Sequence, residues 1–90
     1  MAVRFVRQAE KNARKILHSD ARIAASLHKR ISELQQNPVP PAAKAMKNMP
    51  AGTYRIAFGG DYGRIVYFVD GDDLEILAVG TRQNIYKKTD

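Results

Sequence analysis

The residues with the clearest capacity for chemistry in this 90-residue chain are three arginines, Arg55, Arg64 and Arg82, with Tyr86 four positions beyond the last. They stand in an otherwise acidic second half of the sequence. A guanidinium stays charged at any ordinary pH and presents a planar fork of donors that matches an oxyanion. Arg55 sits between Tyr54 and Ile56. If those two neighbours face a core, Arg55 faces away from it, where adjacent strands can bring other side chains within reach. One face of a small sheet then becomes cationic. The plainer reading is soluble charge on an open sheet face, or charge paired with the hairpin aspartates, and residue types alone leave both standing.

Other familiar sites fall on residue type and spacing. There is no cysteine, which excludes a disulfide framework, a cysteine zinc site and thiol catalysis together. His18 and His28 are too far apart, and too few, to hold a metal between them. Asp70, Asp72 and Asp73 have neither the length nor the closing glutamate of a calcium loop and read as a hairpin turn. Gly59, Gly60 and Gly63 open no helix, so they serve a turn rather than a phosphate cradle. No metal and no cofactor are expected.

The elements that must position the arginines can be read from the apolar pattern. Residues 2 to 6 alternate as a short strand. Ala9, Ala13, Ile16 and Leu17 recur at helical spacing between Gln8 and Leu17, and Ile23, Leu27, Ile31 and Leu34 mark a second helix, with Asp20 at its start and Asn37-Pro38 at its end. A stiff connector, Pro38-Val-Pro-Pro41, leads to a region of period two. There Tyr54, Ile56 and Phe58, then residues Arg64 to Val69 and Leu74 to Val79, predict a three-stranded antiparallel meander. At 90 residues one domain, 1–90, is expected, with no room for a deep cofactor pocket. The fold class expected is α+β, a small antiparallel sheet of about four strands with an N-terminal helical hairpin on one face.

Charge adds a partner class. Fifteen Lys and Arg against nine Asp and Glu give +6, of which residues 1–49 carry +7 and residues 50–90 carry −1. Such a balance suits either a polyanionic partner or simply well-solvated helices. No apolar run is long enough for a membrane span, so no membrane partner and a cytoplasmic location are expected.

Asn37-Pro38, Ala43-Lys-Ala-Met-Lys-Asn-Met-Pro50, Tyr54-Arg-Ile56, Tyr62-Gly-Arg-Ile-Val-Tyr67 and Val79-Gly-Thr-Arg82 followed by Ile85-Tyr86 together resemble the RelE/ParE toxin superfamily. The resemblance implies a microbial RNase-like RelE fold and the toxin of a type II toxin–antitoxin pair. RelE-like members cut messenger RNA in the ribosomal A site, by attack of a ribose 2′-OH on the adjacent phosphate. ParE-like members instead inhibit DNA gyrase, and a third class retains only antitoxin or operator binding. Carried onto this chain, the RelE pattern gives Arg55 and Arg64 the scissile phosphate, Arg82 the leaving side, and Tyr86 the role of base. Adjacent arginines would favour its phenolate. Lys44 and Lys47 fall where the family presents basic side chains to RNA. The implied partners are a cognate antitoxin, the ribosome and its message, with operator DNA reached only through the antitoxin complex. Ala57 departs from the pattern, because the best-known RelE members carry a lysine there. The chain also stops four residues after Tyr86, which predicts that the terminal helix of some members is missing.

Overall fold

The computed structural model describes the backbone of residues 2–89 and the side chains of residues 2–85. The order of elements is β1 (Ala2–Phe5), α1 (Arg7–Ser19), α2 (Ala21–Gln36), β2 (Lys44–Ala45), β3 (Thr53–Phe58), β4 (Gly63–Asp70), β5 (Asp73–Thr81) and α3 (Arg82–Thr89). It is an α+β arrangement.

Each helix forms for a local reason. In α1, Ala9, Ala13 and Ile16 fall on one buried stripe, while Glu10 and Arg14 pair at 3.2 Å on the exposed side. Asp20 alone separates the two helices. Its carboxylate accepts from the backbone N–H groups of Arg22 (2.8 Å) and Ile23 (3.3 Å), which satisfies two donors that have no partner inside α2. Leu27 and Leu34 of α2 join Ala9, Ala13 and Ile16 of α1 over the inward residues of the sheet. The helical hairpin therefore covers one face, as the periodicity predicts.

The sheet order is β1-β5-β4-β3-β2, with β3, β4 and β5 forming the expected antiparallel meander. Three features differ from expectation. The sheet has five strands rather than about four, because Lys44–Ala45 adds a two-residue edge to β3. It is mixed rather than wholly antiparallel, since β1 runs parallel to β5 with Ala2 opposite Asp73 and Phe5 opposite Ile76. The third difference is a terminal helix, α3, where none was expected. Thr81 supplies its cap, its hydroxyl accepting from the N–H of Asn84 at 3.3 Å.

A bulge changes the alternation of β5. Val66 lies opposite Ala78 and Tyr67 opposite Ile76, which leaves Leu77 as an extra residue. Ile76 and Val79, three apart, consequently both reach the core. The centre of that core is Tyr67, fully buried, stacked on Tyr54 at 5.8 Å between ring centroids. Its hydroxyl donates to the carbonyl of Pro38 at 2.6 Å, tying the proline connector to β4. Burial pushes the Tyr67 phenol up to about 12, so the group is neutral over the whole ordinary pH range.

Candidate functional site

Strand alternation decides which face each arginine takes. Tyr54, Ile56 and Phe58 enter the helix-covered core, so Arg55 and Ala57 belong to the opposite face of β3. In register Arg55 lies between Lys44 of β2 and Val66 of β4, while Ala57 lies opposite Arg64, which lies opposite Gly80 of β5. The result is a hollow of about 190 Å³ lined by Ala42, Lys44, Arg55, Ile56, Ala57 and Arg64. Among the described residues, three cations and no acidic residue line it. Ala57 contributes only a methyl group, which preserves the space between Arg55 and Arg64.

Arg64 is 14% exposed and is gripped at both ends of its fork. One Nη donates to the carbonyl of Gly63 at 3.0 Å, and the other donates to Oδ1 of Asp61 at 2.7 Å. Arg82 reaches the second oxygen of the same carboxylate, with Nη1 at 2.8 Å from Oδ2. The Arg64 hydrogen bond, and after it the charge of Arg82, hold the Asp61 carboxyl below its ordinary range. Two guanidinium groups thus share one carboxylate.

Local structure fixes that meeting point. Asp61 sits in the four-residue link between β3 and β4, after Gly59 and Gly60, whose φ angles of 63° and 67° lie in the left-handed region where glycine is the natural choice. Tyr62 anchors the link by an edge contact with Phe58, 6.1 Å between centroids. The N–H of Arg82 donates to the Tyr62 carbonyl at 3.2 Å, which ties the link to the start of α3. On the other side, Arg30 of α2 donates from Nε to the carbonyl of Ala57 at 2.9 Å and pairs with Glu33 at 2.9 Å. The edge of β3 beyond β2 is thereby held against the helical layer.

Of the residues singled out in the sequence, Arg55, Arg64 and Lys44 share the hollow, and Arg64 joins Arg82 through Asp61. Lys47 is exposed in the loop after β2 and does not line the hollow. Tyr86 falls in α3 one turn beyond Arg82, but its side chain lies outside the described residues. Sequence reasoning missed two contributors. Asp61 was legible only as a turn residue, although its spacing of three from Arg64 is a signal for an ion pair across the link. Arg30 looked like one more cation of a solvated helix face, and nothing in its spacing betrays its bond to Ala57.

A larger hollow lies elsewhere. A cleft of about 530 Å³ runs between α1, β5 and α3, lined by Ile16, Val66, Val79 and Ile85 among others, with Lys15 its single cation among the described residues. Among the described residues no group of His, Cys, Asp and Glu could hold a metal ion. Among them, too, no helix is long and apolar enough to cross a membrane.

Residues 3–86 match the family model described as the ParE toxin of type II toxin–antitoxin systems. Among solved structures, the isolated RelE toxin of E. coli is similar at 25% identity and a TM-score of 0.74, over 97% of this chain and 92% of that one. The RelBE2 toxin–antitoxin complex of Mycobacterium tuberculosis contains a chain 26% identical, with a TM-score of 0.70 over 90% of this chain and 96% of that one. A YoeB/ParE toxin from Agrobacterium tumefaciens has a TM-score of 0.79 over 91% of this chain and 99% of that one; at 19% identity it shares the fold. No curated protein sequence matches.

Proposed function

Because this chain belongs to the ParE toxin family of type II toxin–antitoxin systems, we propose that it is the toxin of such a pair and acts as a RelE-like, metal-independent endoribonuclease on translated messages. The observation that carries this reading is the hollow shared by Lys44, Arg55 and Arg64, with Arg82 joined to Arg64 through Asp61. A gyrase-binding surface has no need of cations gathered around one hollow. Cleavage of RNA does need it, because negative charge accumulates on the phosphorane as the new bond forms.

In the proposed reaction the ribose 2′-oxygen attacks the adjacent phosphorus, the bond to the 5′-oxygen breaks, and a 2′,3′-cyclic phosphate remains on the upstream fragment. The 2′-OH loses its proton to a base, for which Tyr86 is the candidate, and the 5′-oxygen takes one from solvent water as it leaves. Arg55 and Arg64 hold the non-bridging oxygens and stabilise their charge. Arg82 stands on the leaving side. With a pKa above 12 it serves better as a fixed positive charge than as a proton donor. Lys44, in the same hollow, supplies the cation that Ala57 does not.

Solved toxin–antitoxin complexes among the similar structures support a cognate antitoxin as partner, and operator DNA would be met only through that complex. The second reading is inhibition of DNA gyrase, which suits the description of the family as that of a ParE toxin. Inducing the protein without antitoxin and mapping new RNA ends separates the two. Cuts in phase with codons on translated messages are the expected outcome. Intact RNA with DNA damage would select the gyrase reading.

A further inference from the structure

We infer that Asp61 occupies the phosphate position of the Arg64–Arg82 pair in the free protein, as an internal anion that a substrate strand must displace. This rests on the reading of the arginines as a phosphodiester site, and it adds a residue that decides which anions enter. Both carboxylate oxygens are engaged, Oδ1 by Arg64 at 2.7 Å and Oδ2 by Arg82 at 2.8 Å. A phosphodiester offers the same pair of charged acceptor oxygens on one atom, so it competes with the carboxylate for the Nη donors that now hold it. The carboxylate is already in place.

The partners differ in freedom. The Arg64 side chain is 14% exposed and also bonded to Gly63, whereas the side chains of Asp61 and Arg82 are 69% and 58% exposed. Asp61 follows two glycines with left-handed φ, and a Cβ built on Gly60 meets nothing within 4 Å. The group free to leave is the aspartate. An exposed ion pair is a weak competitor, while a strand that also reaches Lys44 and Arg55 gains several phosphate contacts together. Asp61 therefore discriminates against isolated small anions and yields to a polyphosphodiester.

The test is a titration of the parent and of Asp61→Asn with inorganic phosphate and with a short single-stranded RNA at fixed low salt, following the Nε–H signals of Arg64 and Arg82. The variant is expected to bind inorganic phosphate about two- to fivefold more tightly, the range that the loss of one exposed competing pair allows. Asp61→Ala should do the same. Asp70→Asn removes an equal charge at the far end of β4, where Asp70 pairs with Arg4 at 3.0 Å, and should leave phosphate affinity unchanged. Unchanged or weaker phosphate binding by both Asp61 variants, or an equal gain in Asp70→Asn, would overturn the inference. Neither ribosome nor message enters this titration, so the two readings fail separately. A parent that leaves messages intact while the Asp61 variants still tighten phosphate binding refutes the endonuclease and keeps the internal anion; a parent that cuts while phosphate affinity is unmoved does the reverse.

Discussion

Arg64 is held on one side by a backbone carbonyl and on the other by Asp61, so its fork is oriented before any ligand arrives. Preorganisation of this kind matters most for charge that develops in the transition state. Arg64→Ala is accordingly expected to slow single-turnover cleavage on programmed ribosomes by roughly 10² or more, with a much smaller loss of ribosome affinity, which is spread over many cations. Equal losses in both measurements would reduce Arg64 to an ordinary binding contact. Tyr67 makes a different prediction. Its phenol titrates near 12 in the folded protein against 10 when unfolded, so the native state keeps the proton that the unfolded chain gives up. The stabilisation is fully present below pH 10 and is lost as pH rises towards 12, at up to about 1.4 kcal/mol per pH unit. Tyr67→Phe should flatten that decline in denaturant melts at alkaline pH, while costing about 1 kcal/mol at neutral pH through the lost bond to Pro38. At this scale the sequence was partly legible. The face taken by Arg55 follows from period two alone, whereas the meeting of Arg64 and Arg82 depends on a link conformation and a helix start that no periodicity encodes.

Among the elements, α2 and the meander were the easiest to read, because a stripe at Ile23, Leu27, Ile31 and Leu34 and an alternation at Tyr54, Ile56 and Phe58 are each set by burial. The rest was hidden for identifiable reasons. β2 is two residues long, too short to show any period, and exists because Lys44 and Ala45 find a free edge of β3. Leu77 is an extra residue in β5, and a pairing irregularity leaves no mark on composition. α3 has a weakly amphipathic sequence and begins at a threonine cap that looks like a strand end. Two substitutions probe how these elements place the site. Asp20→Ala removes the cap that begins α2 and should cost about 1 kcal/mol in urea unfolding, with cleavage unchanged once folded. Gly63→Ala should be worse. A Cβ there would stand 2.6 Å from the Phe58 ring and 2.7 Å from the backbone oxygen of Gly80, so β4 and β5 must part beside Arg64. A loss of about 1–3 kcal/mol is expected, together with slower cleavage by the folded fraction. Parent-like stability would mean that the strands can adjust at no cost.

The molecule as a whole carries +6, concentrated on residues 1–49, which include α1 and α2 and would attract an acidic partner segment. Antitoxin binding to the folded toxin should raise its melting temperature by mass action. At a free antitoxin concentration of one hundred times Kd the gain is about 2.7 kcal/mol, or roughly 10–20 °C for a domain of this size. The shift should shrink as salt is added, because part of the attraction is long-range charge. An unchanged melting temperature at saturating antitoxin would count against the pairing.

β5, the last strand of the described residues, lies between β1 and β4. On a growing polypeptide, β1 therefore waits without a strand partner until residues 73–81 have been made, and Arg64 has no Gly80 beside it until the same moment. The cations cannot assemble early in synthesis. Newly made chains released short of β5 should be digested by protease while the finished chain resists.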